Sequence, residues 1–207
     1  MTTTRDHVLA RVRRNQPAWR ELPQLPSFAR RADGRLEAFA AALKRMGGSF
    51  AAAPAGALDA FVRARFPDAR VICSATPEVA GTRSTAAVRD PRELADVDVG
   101  VVRAVFGIAE TGSVWLSERE FGINALGFLS QHLVVLLDPA AIVGNLHDAY
   151  RHRGFFEARY SVLMTGPSAT ADIEGVLIRG AQGIRTLTVI PMPAPAAGAN
   201  VNKRRTA

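Results

Sequence analysis

The sequence predicts an α/β domain built on an open, mainly parallel β-sheet flanked by helices. Three observations carry this reading. Short apolar runs alternate with stretches of helical periodicity across residues 33–190, the order that βαβ units produce. His132-Leu-Val-Val-Leu-Leu137 is apolar without interruption, as a strand buried on both faces of a parallel sheet must be. The stretch 160–174 passes from an apolar run through Thr-Gly-Pro-Ser to small and acidic residues, followed by apolar Ile173, Val176 and Leu177. That order reads as a buried strand, a tight turn and the start of a helix.

Taken in order, residues 5–20 read as a basic helix that Pro17 disrupts, and 22–27 as a linker whose prolines hold their predecessors out of the helical region. Asp33 is placed to cap a helix in which Leu36, Phe39, Ala40, Leu43 and Met46 recur at helical spacing, and Gly47 and Gly48 are placed to end it. Residues 49–53 suit a strand, 58–66 a helix and 71–74 a strand. An irregular arm spans 76–90; its Arg83 either faces solvent or holds an anion. Residues 97–106 read as extended, 107–112 as an interruption, 113–116 as resumed strand and 118–124 as turn. Asp138 and Pro139 are expected to open a helix reaching about Tyr150, and a further helix is expected to run to about Arg179 before a last strand at 186–190. The domain organisation is therefore a basic N-terminal helix and linker (1–30), a single α/β domain (31–190) and a disordered tail rich in proline, alanine and glycine (191–207).

With 207 residues, 48% of them hydrophobic and 22% charged, the chain can bury a sizeable core. No apolar run approaches the roughly 20 residues of a membrane span, and the first 20 residues hold five arginines and no apolar signal core, so a cytoplasmic location is expected. The net charge of +7 is dispersed and its arginines are not interleaved with aromatic residues, which argues for a solvated basic surface and against nucleic-acid binding. Cys73 is the single cysteine, so the chain has no internal disulfide and cannot by itself ligate an iron–sulfur cluster, which needs about four thiolates. Lys44 and Lys203 are the only lysines, and neither suits Schiff-base chemistry. His132, His147 and His152 form no metal-binding pattern; no metal and no tightly bound cofactor are expected.

Two stretches hold the candidate site residues. Thr165, Gly166, Pro167, Ser168 and Thr170 gather backbone N–H groups and hydroxyls at the strand-to-helix turn, where a helix dipole would favour an anion and where open α/β sheets place their ligands. Alternatively, Ser168 or Thr170 simply caps the helix while Asp172 and Glu174 complement its dipole. In Glu110-Thr111-Gly112, the carboxylate sits at a strand break and Gly112 permits close backbone approach. Glu110 is a candidate general base or nucleophile, or else an exposed turn residue. Asp172 would pair with it if the fold joins the two loops.

Several segments together resemble the lactate utilization protein C family, also called the LUD-domain family. They are Gly107-Ile-Ala-Glu-Thr-Gly-Ser-Val-Trp115, Ser130-Gln-His-Leu-Val-Val-Leu136, Asn145-Leu-His-Asp-Ala-Tyr150, Thr165-Gly-Pro-Ser-Ala-Thr-Ala-Asp-Ile-Glu174 and Gly180-Ala-Gln-Gly183. The resemblance implies a fold like that of ribose-phosphate isomerases and CoA transferases (NagB/RpiA/CoA transferase-like), with Gly183 beside the ligand. It also implies an accessory subunit, free of iron–sulfur clusters, in a system that oxidises L-lactate to pyruvate through iron–sulfur partner proteins. The chain departs from the family where Gln182 and Ile184 replace a usual histidine and proline, which removes a candidate acid–base group. Two other readings remain open: a small-molecule enzyme of isomerase or CoA-transferase type using Glu110, and a non-catalytic sensor of an organic acid or nucleotide.

Overall fold

A computed structural model describes residues 3–24, 26, 33–54, 56–172 and 174–195. Leu25 and Ser27 of the expected linker, Ile173 and the tail from residue 196 lie outside the described residues. The first helix, α1 (Thr4–Arg14), opens on a reciprocal capping box between Thr3 and Asp6 and buries none of its side chains. The second, α2 (Arg35–Arg45), buries Phe39, Ala42 and Leu43. Asp33 does not cap it. Gly34 occupies that position in the left-handed region (φ 76°), with no side-chain bond to the helix. The other end is as expected: Gly47 N–H donates to the Lys44 carbonyl and Gly48 N–H to the Leu43 carbonyl, at 3.0 Å each, a Schellman closure that Gly47 permits with φ 89°.

The chain then runs through β1 (Ser49–Phe50), α3 (Leu58–Arg65), β2 (Ile72–Ser74), β3 (Arg83–Ser84), β4 (Val99–Arg103), β5 (Phe106–Ile108) and β6 (Ser113–Ser117). Two single-turn helices, α4 (Glu118–Phe121) and α5 (Leu126–Leu129), lead to β7 (His132–Leu137). The remainder is β8 (Ile142–Val143), α6 (Leu146–Tyr150), α7 (Gly154–Glu157), β9 (Ser161–Met164), β10 (Ala169–Thr170), β11 (Ile178–Arg179) and β12 (Thr186–Pro191).

Six strands form one sheet in the order β1-β12-β7-β4-β2-β3, and every neighbouring pair is parallel. The central strand β7 shows why its sequence is uniformly apolar. Leu133, Val135 and Leu137 pack on one face with Phe39 and Leu43 of α2, while Val134 and Leu136 pack on the other with Leu58 and Val62 of α3. Both faces exclude water, so no polar alternation survives.

A second sheet, β8-β5-β6-β9, lies on the α2 side and was not expected as a separate element. Residues 107–112 do not interrupt one long strand. They carry the chain around a hairpin in which Phe106 pairs with Trp115 and Ile108 with Ser113. Alternation on β6 joins the layers: Val114 and Leu116 enter the main core, whereas Trp115 packs with Phe106, Ile108 and Ala149 under Leu146 and Phe155. The helix expected over 139–150 is likewise broken. A 3₁₀ turn at Pro139–Ala141, capped by Asp138, gives way to β8, and only Leu146–Tyr150 is α-helical. β-Branched Ile142 and Val143 pair with β5, so tertiary pairing overrides the helical opening signal. No helix among the described residues is long and apolar enough to cross a membrane.

Gly112 ties these layers together. At φ 70°, a Cβ added to it would stand 2.2 Å from the Leu43 amide nitrogen of α2. Gly112→Ala is expected to destabilise the fold by roughly 2–4 kcal/mol, combining left-handed strain with overpacking against backbone. Gly175→Ala, with φ 70° but open space around it, should cost about 1–2 kcal/mol. Urea unfolding of the two variants checks the difference.

Candidate functional site

The turn after β9 differs from its expected form in strand direction and in the element it leads into. β9 does not belong to the parallel sheet; it pairs antiparallel with β6, Val114 opposite Met164 and Ser117 opposite Ser161. The turn does not open a helix. β10 and β11 form an antiparallel ribbon, with Ala169 opposite Arg179 and Thr170 opposite Ile178. Glu174 and Gly175 take left-handed φ values of 53° and 70° at its far end, which a helix cannot accommodate. Val176 and Leu177, which suggested a helix's apolar face, are both more than half exposed. The expected helix dipole is therefore not available to an anion at this turn.

Its position is also reversed. Ser168 N–H donates to the Ile184 carbonyl (3.1 Å), two residues before β12 begins, and Gly183 lies beside the Ser168 side chain. Gly166 (φ 67°) lies against Met46 and Gly48, just before β1. The turn thus adjoins the amino ends of the parallel strands, not the carboxyl ends where a ligand crevice was expected. Gly166 is small for the sake of the protein's own backbone: an added Cβ would stand 2.4 Å from the Met46 carbonyl oxygen.

Five of the expected ligand-binding residues nevertheless share one cavity. Thr165, Gly166, Pro167, Ser168 and Gly183 line a space of about 240 Å³ together with Phe128 and Ile184. The two candidate loops also meet. The Thr111 hydroxyl lies 2.7 Å from that of Ser113, and the Ser113 hydroxyl is hydrogen-bonded to that of Thr165. Sequence reading missed Ser113, the buried centre of this chain of hydroxyls, because a serine within an apolar strand carries no distinguishing pattern.

The two candidate catalytic carboxylates are occupied locally. Glu110 is exposed, and its Oε2 accepts the Leu146 N–H (3.1 Å) at the start of α6. Asp172 is exposed and accepts the Thr170 hydroxyl at 2.8 Å, while Thr170 Oγ1 accepts the Asp172 N–H at 3.2 Å. Glu110 thus complements a helix start and Asp172 closes a local turn.

At the carboxyl ends of the parallel strands the structure gathers residues that the sequence did not single out. Arg103, the last residue of β4, donates through Nε to Glu78 Oε1 (2.6 Å) and through an Nη to the Met192 carbonyl (3.1 Å); Thr76 donates to the other oxygen of Glu78. Glu78 lies just beyond β2, the neighbour of β4, but no sequence spacing pairs it with Arg103. Arg83 is engaged too, clamping both oxygens of Asp96 at 2.7 and 2.9 Å and holding that carboxyl below its ordinary pKa. Burial pushes the Cys73 thiol up, as suits a core residue. Among the described residues, no group of three or more His, Cys, Asp or Glu side chains could hold a metal ion.

The profile of the LUD domain matches residues 39–191, which takes in both sheets and both candidate loops. The chain belongs to the LUD-domain family. LUD-domain proteins are associated with lactate utilization. The fold is similar to that of a DUF162 family protein from Deinococcus radiodurans in its crystal structure, with a TM-score of 0.57 and 18% identity over 76% of this chain and 95% of that one. No curated protein matches the sequence.

His132 has a structural setting and offers a test of the electrostatics at the amino end of β7. Its Nδ1 bonds the Thr186 hydroxyl at 2.8 Å and its ring stacks on Phe66 at 4.8 Å. Burial, and then Arg185, lower its pKa from the ordinary 6.5. The ring is therefore neutral in the fold where the unfolded chain would already bind a proton. Its contribution to stability is full above pH 6.5 and is lost as pH falls through the depressed folded value. The ring should titrate below 6.5 by NMR. His132→Gln should flatten the pH dependence of unfolding in that window.

Proposed function

We propose that this LUD-domain chain is the accessory, cluster-free subunit of a system that oxidises L-lactate to pyruvate. The observation that carries the reading is family membership across residues 39–191 in a chain whose one cysteine, Cys73, is buried in the core. Oxidising lactate to pyruvate releases two electrons and two protons. A chain with one inaccessible thiol cannot hold the four-thiolate cluster that would take those electrons, so partner proteins bearing iron–sulfur clusters take them. The chain itself contributes docking and a small-molecule crevice, in which Thr165, Gly166, Pro167, Ser168 and Gly183 present hydroxyl and backbone groups to an organic anion. Thr111 supports that wall from behind through the Thr111–Ser113–Thr165 hydroxyls, and Gly112 seats the same hairpin on α2.

The same cavity favours a second reading: a sensor that binds an organic acid without turnover. Its five convergent residues are there, while Glu110 and Asp172, the groups a hydrolytic or transfer mechanism would use, are bonded to their own backbone neighbours or turn residues.

Lactate-dependent reduction of a soluble electron-accepting dye tests the first reading. The purified chain alone should give no turnover. Adding cysteine-rich proteins that co-purify with it should restore turnover, and Ser168→Trp, which fills the crevice, should lower it at least tenfold. Lactate oxidation by the isolated chain would overturn the assignment. Lactate or pyruvate raising the melting temperature of the isolated chain, with no co-purifying partner, would favour the sensor.

A further inference from the structure

A second, larger cavity lies on the outer face of the small sheet, away from the turn after β9. It measures about 610 Å³, within the range of small-molecule sites. Trp115 and Ser117 of β6, Arg119 of α4, and the segment from Arg151 through His152, Arg153 and Gly154 to Glu157 line it. Gly154 lets that segment close tightly over the indole, since an added Cβ would stand 2.8 Å from Trp115 Cη2.

Two independent features of the wall point to a ligand. First, its guanidinium groups are loosely engaged. Arg119 and Arg153 lie 3.9 and 3.7 Å from the same carboxylate, Glu157, and Arg151 lies 3.9 Å from Asp148. Arg119 makes one long bond, 3.4 Å, to the Glu157 carbonyl. The other wall carboxylate, Glu120, is taken by the Ser117 N–H and hydroxyl at 2.8 and 2.6 Å. Two of these guanidinium forks thus share one carboxylate at long range and the third rests at 3.9 Å from another, in contrast to the two-pronged clamp of Arg83 on Asp96. Second, the Trp115 side chain is 2% exposed and its indole N–H has no acceptor among the described residues, although buried indoles normally find one. His152 adds a donor. Its Nδ1 accepts the Gly154 N–H at 3.1 Å, so in the neutral ring the hydrogen sits on Nε2.

We propose that this cavity binds a small organic polyanion, a molecule bearing two or more carboxylate or phosphate groups. Guanidinium forks match the oxygens of either group, and the wall supplies three of them around a buried N–H donor. Trp115, stacked on Phe106 at 5.5 Å, is a rigid part of the wall beneath these forks. The proposal does not rest on the lactate reading, because binding is measured on the isolated chain.

Trp115 also provides the readout. The only other tryptophan, Trp19, is 86% exposed on the N-terminal arm, so a Trp19→Phe background leaves Trp115 as the single indole emitter. Pyrophosphate and citrate, titrated separately at constant ionic strength, represent the phosphate and carboxylate arms. In at least one arm, Trp115 emission should change saturably with one ligand per chain, confirmed by calorimetry. Arg119→Gln combined with Arg151→Gln should weaken that binding at least tenfold, whereas Arg92→Gln, an exposed arginine outside the cavity, should leave it unchanged. Trp115→Phe, assayed by calorimetry, should weaken binding several-fold. Failure of both probes to saturate overturns the proposal. So does equal weakening by Arg92→Gln and the double variant, since only net charge would then matter.

Discussion

The last turn of α2 sits against bare backbone, and the rest of the domain is arranged around that contact. Gly112, from the hairpin between β5 and β6, approaches Leu43, while Gly166, from the turn after β9, approaches Met46 and Gly48. Neither position has room for a methyl group. One helix end therefore fixes two loops from the small sheet against the start of β1 in the large one. The Schellman closure at Gly47 and Gly48 satisfies the helix's final carbonyls and also shapes the surface on which those loops rest. The Thr111–Ser113–Thr165 hydroxyls extend the same junction.

This junction explains why two of the glycines in the candidate loops are found where they are. In the sequence Gly112 reads as a glycine of close backbone approach and Gly166 as part of a ligand turn, and the immediate physical task of both is close packing of protein on protein. The cavity beside Ser168 is a product of that packing, with walls from β9, the ribbon base and the residues leading into β12. At the opposite rim of the parallel sheet, Thr76, Glu78 and Arg103 bind one another and the Met192 carbonyl, which closes the ends of β2, β4 and β12 together.

Much of the parallel sheet was legible in the sequence because its signals are local. The uninterrupted run 132–137 reads as a strand buried on both faces, and the spacing of Phe39 and Leu43 with two glycines after them defines α2 and its end. What escaped was the partner of each short strand. Residues 161–164 are apolar whichever sheet they join, and only β6, folded back through Gly112, determines that they run antiparallel. Residues 172–179 contain the small and acidic residues of a helix start, yet Gly175 and Gly180 turn the chain into a ribbon. Of the site, the grouping of Thr165–Ser168 with Gly183 was legible as a family pattern. Ser113, Glu78 and Arg103 were not, since their partners are brought together by sheet pairing across long stretches of chain.

The length of the outermost strands has a consequence for how the protein behaves in a crowded solution. The parallel sheet ends on β1 at one side and β3 at the other, and each is only two residues long. Each margin therefore offers a passing chain only two residues of regular strand on which to add another. Truncated margins of this kind guard an apolar parallel sheet against growing, copy by copy, into a fibre.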